Sequence, residues 1–345
     1  MDKELFKKII EKLTSNQEIG EYAKFESSQY KAVKFDASNF KEIKEIDSKQ
    51  NIVFIDGGNI EIAKGPNFSL QLINLYYTIY QQNKRTSARK ISFLLLVKSA
   101  ELNNEICFTT ETFGVTGSFE HKDYFFSSLD NSIKQGNNRI SATAIGMVYR
   151  RFSEITLAKY VTGILSKNDI IIFDGDLQAK FTYEPELMDE LYSFAKEKMI
   201  KICGLSKTSE LMTNTGYPLL TAINKLAGKS NEKPWFYSPL AVNINKNHKA
   251  DIFIIKLMPK TDYCFRFDVH NEIQFDINVI LSLLKNNSTD PLFLGYPYGL
   301  IEAHLFAKCS SQEKEHILTK LKFYSNKELN MFETNVNSHE LLDRI

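Results

Sequence analysis

The sequence predicts an α/β fold on a mixed sheet: an antiparallel three-stranded meander, then α/β units, with flanking helices. Three observations point there. Strand-like runs rich in aromatic and branched residues follow one another closely between residues 51 and 113, and short connections favour antiparallel pairing. The apolar period then changes to three or four over 141–169. From 169 onward, strands and helices alternate. Two of the buried runs meet the same dipeptide, Asp-Gly, in "NIVFIDGGN" (51–59) and "IIIFDGDLQ" (170–178), with the acids 118 positions apart (174 − 56).

The elements follow in order. Leu5, Ile9, Ile10 and Leu13 recur at helical spacing in a surface helix within residues 1–20, and the polar stretch 21–49 reads as a linker or arm. Strands are expected at 51–56, 68–81, 91–98 and 105–113. In "SATAIGMVYRRFSEITLAKYVTGILSKND" the residues Ile145, Val148, Phe152, Ile155 and Ile164 mark an amphipathic helix. A strand at 169–174, a helix at 184–199 and a strand at 200–206 come next. Residues 207–262 are less regular. "YCFRFDVH" reads as a strand, "DPLFLGYPYG" as a strand and turn, and 299–323 as a closing helix pair. The domain reading is a helix and arm over 1–44, one domain over 45–325 and a tail over 326–345.

The 345 residues suffice for one large domain or two ordinary ones. With 43% hydrophobic and 25% charged residues, the composition is that of a soluble globular protein. A formal charge of +1 speaks against a uniformly basic nucleic-acid binder and leaves a local basic groove open. Cys107, Cys203, Cys264 and Cys309 are isolated, so neither a zinc knuckle nor a disulfide framework is suggested, and they fit a reducing cytoplasm. "MDKELFKKII" has no apolar signal core, and "ISFLLLV" is too short to span a bilayer. The chain reads as cytoplasmic.

An acid at the C-terminal end of a buried strand sits at the mouth of a sheet, where ligands and metals collect, and a following glycine lets a substrate approach. Asp56 and Asp174 fit that pattern; the plain alternative is a common turn dipeptide. Asp176, two residues beyond Asp174 in an extended segment, would face the same side. Glu154 falls at the border of the helix's apolar face, near Met147, Ala158 and Val161, and otherwise reads as a surface pair with Arg151. Hard divalent cations want oxygen ligands, so Asp56, Glu154 and Asp174 together would make a metal site able to activate water against a phosphodiester. By spacing alone, His304 reads as a packed core residue, Tyr296 as a turn aromatic, and Lys207 as a phosphate contact or a solvated lysine.

Taken together, "FIDGGN", "RRFSEITLA", "IIFDGDL", "GLSKTSEL", "FRFD" and "GYPYGLIEAHLFAK", in that order over about residues 45–325, resemble the NurA nuclease family. The resemblance implies a ribonuclease H-like fold and a manganese- or magnesium-dependent DNA nuclease, a 5′-to-3′ exonuclease and single-strand endonuclease. It implies a homodimer docked on a HerA-type hexameric ATPase, acting in DNA repair and end resection. It implies that Asp56, Glu154 and Asp174 bind metal, and that Lys207, Tyr296 and His304 belong to the catalytic site. Both Asp-Gly sites depart from the family's Asp-Gly-Ser, reading Asp56-Gly57-Gly58 and Asp174-Gly175-Asp176, so Asp176 is a further possible ligand. Two other readings stand beside this one. "IIIFDGDLQ" also resembles the Asp-x-Asp motif of haloacid-dehalogenase-type phosphatases, with Asp174 as nucleophile; a non-catalytic translocase adaptor is the third.

Overall fold

Residues 3–14, 18–114, 119, 121–134, 136–259 and 261–325 are described by a computed structural model; the tail expected at 326–345 lies outside them. The expected first helix is α1 (Lys3–Thr14). The arm that follows is not a free linker. Its Ala23–Lys24 and Tyr30–Ala32 pair with Met212–Thr213 and Ala241–Asn243, and β1 (Phe40–Glu42) joins the edge of the main sheet.

The meander has four long strands rather than three: β2 (Asn51–Gly65), β3 (Phe68–Gln81), β4 (Lys84–Leu102) and β5 (Glu105–Phe113), with a short β6 (Phe125–Ser127) beyond. Two of the turns carry positive φ at both central residues, Gln82-Asn83 and Asn103-Asn104, as two-residue hairpins require. β2 and β4 overrun the expected spans because β3 pairs with both along nearly its whole length. The hairpin ladder recruits polar residues that no apolar pattern marks as strand.

The α/β half follows as α2 (Ala142–Thr162), β7 (Ile170–Asp174), α3 (Glu184–Lys198) and β8 (Lys201–Ser206). Ile164 lies past the end of α2 and is exposed. The stretch expected to be irregular contains α4 (Leu219–Ala227), β9 (Trp235–Tyr237) and β10 (Ala250–Lys256). Then come β11 (Phe265–His270), α5 (Ile277–Asn286), α6 (Tyr298–Ala307) and α7 (Ser311–Tyr324). "DPLFLGYPYG" is not a strand. Pro291 lacks a backbone N–H, and Asp290 accepts from the Leu292 N–H to start a single 3-10 turn.

Among the described residues the main sheet has the order β1-β9-β10-β11-β8-β7-β2-β3-β4-β5-β6. β2, β7 and β8 run parallel at its centre; the other pairs are antiparallel. Helices cover both faces, as a parallel centre requires. Ile55 and Phe173 pack with Phe152 and Ile155 of α2 on one face, and Phe54 and Ile172 pack with Leu300 and Ala303 of α6 on the other. No helix among the described residues is long and apolar enough to cross a membrane.

The closest approach of α6 to the sheet depends on Gly299. A Cβ there would lie 2.2 Å from the Phe54 ring, which is fully buried. Gly299→Ala is therefore expected to destabilise the fold by about 1–3 kcal/mol, an overpacking cost read by denaturant unfolding. An unchanged midpoint would mean that α6 is free to shift outward.

Candidate metal centre

The parallel pairing of β2 with β7 runs from Ile52 opposite Ile170 to Ile55 opposite Phe173. One further step brings Asp56 beside Asp174. The side chains of both strands alternate, so both acids face α6. β2 does not end there but continues to Gly65, whereas β7 stops at Asp174 and turns at Gly175, whose φ is +128°.

Asp56 is buried. Its Oδ1 accepts from the Gly57 N–H at 2.7 Å, and its Oδ2 lies 2.9 Å from His304 Nδ1. Asp174 Oδ2 accepts from Lys207 Nζ at 2.6 Å, just past the end of β8. The Tyr296 hydroxyl lies 3.0 Å from Asp174 Oδ1 and 3.2 Å from the Leu205 carbonyl. Asp56, Asp174 and His304 each offer one ligand atom, all within 4.8 Å of one another.

The electrostatics fit a cation between them. Burial, and then the neighbouring Asp174 charge, push the Asp56 carboxyl up to about 7. Burial, and then the Lys207 charge, push His304 below the usual imidazole value, so it is neutral at neutral pH. Two carboxylates and a neutral imidazole converging at the end of parallel strands are a donor set for a divalent ion.

Glu154, expected to complete the ligand set, is not among the converging ligand atoms and approaches from the opposite face. It projects from α2, and Gly57, whose missing side chain would point toward α2, leaves the room: a Cβ there would lie 2.7 Å from Glu154 Oε1. Glu154 is buried, not on the surface, and its main cation is Arg150 at 2.5 Å, with Arg151 at 3.6 Å. Burial still pushes it up to about 7 against both arginines. Arg150 also donates to the Gly57 carbonyl at 2.8 Å and comes within 4.0 Å of Asp56. Sequence reasoning missed Arg150, although its four-residue spacing from Glu154 was the available signal. Arg151 instead donates to the buried Glu184 at 2.8 Å and to the Asp176 carbonyl.

The remaining expectations divide. Asp56, Asp174, Lys207, Tyr296 and His304 come together. His304 is no core residue, since its side chain is 55% exposed. Tyr296 is buried between the Phe265 ring and the Lys207 ammonium, with its hydroxyl at Asp174, and offers no face to a base. Asp176 is outside the ligand cluster; its carboxylate pairs with Lys180 at 2.8 Å and accepts from the Gln178 N–H. The Asp-x-Asp phosphatase reading needs Asp174 and Asp176 on one phosphate, which this pairing does not provide. Gly58 has no room for a side chain in this fold. A Cβ there would lie 2.3 Å from the Ala307 carbonyl oxygen at the end of α6.

A family model described as the NurA domain matches residues 50–309. Among solved structures, the chain is similar to the NurA nuclease from Sulfolobus solfataricus. The identity is 16%, the match covers 95% of this chain and 98% of that one, and the TM-score is 0.52. The likeness shows a shared fold, the expected mixed sheet with flanking helices. The catalytic domain of human endonuclease V matches at 10% identity over 92% and 97% of the two chains, with a TM-score of 0.34. No curated protein matches the sequence significantly.

The raised carboxyl of Asp56 links the centre to stability. Folded, it keeps its proton up to about pH 7; unfolded, it loses it near the ordinary 3.8. The folded state thus binds the extra proton in that window, and stability falls as pH rises through it. In chelator, the melting temperature should fall between pH 5 and pH 8, and Asp56→Asn should flatten that fall and melt a few degrees higher at pH 8. Manganese should restore the wild type at pH 8 and leave the variant unchanged. A variant that melts below the wild type at pH 8 in chelator would contradict this account.

Proposed function

The chain belongs to the NurA domain family, and on that premise we propose that it is a metal-dependent deoxyribonuclease whose centre is the Asp56–Asp174–His304 cluster. The observation that carries the reading is the register that sets Asp56 beside Asp174 at the mouth of the parallel strands, with Lys207 and His304 against them. Asp56 and Asp174 would hold manganese or magnesium, with Glu154 adding negative charge from behind Gly57. The bound ion would polarise the scissile phosphate and lower the pKa of an attacking water.

The protein's own groups divide the remaining work. Lys207 places a positive charge where a phosphate oxygen approaches Asp174. His304, neutral and half in solvent, can accept a proton from water or return one to the leaving oxygen. Burial, then Asp174, hold the Tyr296 hydroxyl well above its ordinary pKa, so it stays protonated and orients Asp174 as a donor. Tyr296 is in this reading a positioning residue. Arg150 offsets the charge of Glu154 and Asp56.

The finer features rest on the family resemblance. They are 5′-to-3′ exonuclease and single-strand endonuclease action, a homodimer docked on a HerA-type hexameric ATPase, a role in DNA end resection and repair, a cytoplasmic location, and a nuclease unit spanning 45–325.

End-labelled single- and double-stranded DNA incubated with manganese, magnesium or chelator tests the central claim. Metal-dependent cutting is expected, with losses of at least about a hundredfold in Asp56→Ala and Asp174→Ala. Lys207→Ala should lower kcat more than it raises KM, because its charge acts on the phosphate in the transition state. Full activity in Asp174→Ala would sink the assignment.

A further inference from the structure

One exposed ring beside the centre has no part in the chemistry above. Phe306 of α6 is 50% exposed, next to Leu305 at 63%. Its ring stacks on Tyr76, with centroids 5.0 Å apart and planes inclined by 15°. Tyr76 is buried and cannot turn away, because its hydroxyl donates to Glu302 at 2.8 Å. Glu302 is fixed in turn by the Tyr80 hydroxyl and by Arg85 at 3.0 Å. Phe306 is therefore a flat apolar surface seated on a rigid support.

The register places that support. Tyr76 lies directly opposite Asp56 across β2 and β3, and directly opposite Lys90 across β3 and β4. Residues so paired point to the same face, about 5 Å apart. Acid, aromatic and cation thus form one row beneath α6, running across the strands away from the metal cluster. Lys90 is held by Glu313 at 3.1 Å, with its side chain 35% exposed.

We propose that Phe306, backed by Tyr76, is a stacking platform for an unpaired nucleobase of the strand whose phosphate lies at Asp56 and Asp174. The proposal deepens the nuclease reading and rests on it for the position of the phosphate. Stacking on an aromatic ring tolerates any base, since each has a π-face. A base inside a duplex has both faces covered by its neighbours. The platform therefore takes only a base that has left the stack, and makes the centre favour single strands and frayed ends. The Phe306 ring is open to solvent, whereas the Tyr296 ring is buried.

The test is made in chelator, where the strand stays intact. Single-stranded oligonucleotides carrying 5-iodouracil at successive positions are photocrosslinked to the whole protein, and the adducts are mapped by mass spectrometry. One position should crosslink to Phe306. An abasic residue at that position should weaken wild-type binding about five- to a hundredfold by fluorescence anisotropy. Phe306→Leu, which keeps the apolar contact with Tyr76, should bind the intact strand as weakly and be indifferent to the lesion; Phe306→Trp should restore both properties. Crosslinks that map elsewhere, or a leucine variant with wild-type affinity, would overturn the platform. Cutting in manganese is scored separately. Cutting without stacking leaves the nuclease and removes the platform, and stacking without cutting does the reverse.

Discussion

The register between β2 and β7 is the constraint on which the centre depends. Both strands are buried on both faces over four residues, so no alternation of polar and apolar side chains can choose between registers. A polar clamp at the far end makes the choice. Asp169, buried, accepts from the backbone N–H of Asn51 at 2.8 Å and from its side chain at 2.9 Å. Those partners are 118 residues apart, the same separation as Asp56 and Asp174. A slip of one residue would turn an acid to the opposite face and separate the pair.

Given that register, the rest is management of charge. Two adjacent carboxylates, Asp56 buried and Asp174 partly so, repel each other, and each is met by other groups: the Gly57 N–H and the His304 ring for Asp56, Lys207 and Tyr296 for Asp174. Asp174 is further secured from behind. The turn that follows it is held by the Leu177 N–H, which donates to the buried Asp268, itself gripped by Arg266 and His248. This explains why "FRFD" belongs with the site although neither of its charged residues touches the cluster. Without a cation the arrangement is stabilised by protonation, so the cluster costs fold stability as pH rises toward neutral.

Much of this was legible in advance. Apolar runs and the change of period located the meander, α2, β7, α3 and β8. The ordered motifs pointed to Asp56, Asp174, Lys207, Tyr296 and His304, side chains that the fold brings together. What escaped notice did so for stated reasons. The polar ends of β2 and β4 are strand only because β3 pairs with them. β10 and α5 lay in apolar runs with no flanking signal strong enough to set their period. His304 looked like core because helix spacing does not reveal that α6 overlies the mouth of the sheet. Glu154 looked like surface because nothing local shows that Gly57 opens a gap in the strand above it.

The chain order of these parts has a consequence for biosynthesis. Asp56 and Asp174 come earlier in the chain, and Tyr296 and His304 lie 122 and 248 residues beyond the acids they contact. A ribosome releases those later groups only after nearly the whole domain has emerged. Until then the nascent chain holds the two carboxylates with neither the imidazole nor the hydroxyl that completes their cluster. Any fragment that stops short of α6 is in the same condition. The centre is therefore assembled last, and an interrupted translation product carries an incomplete one.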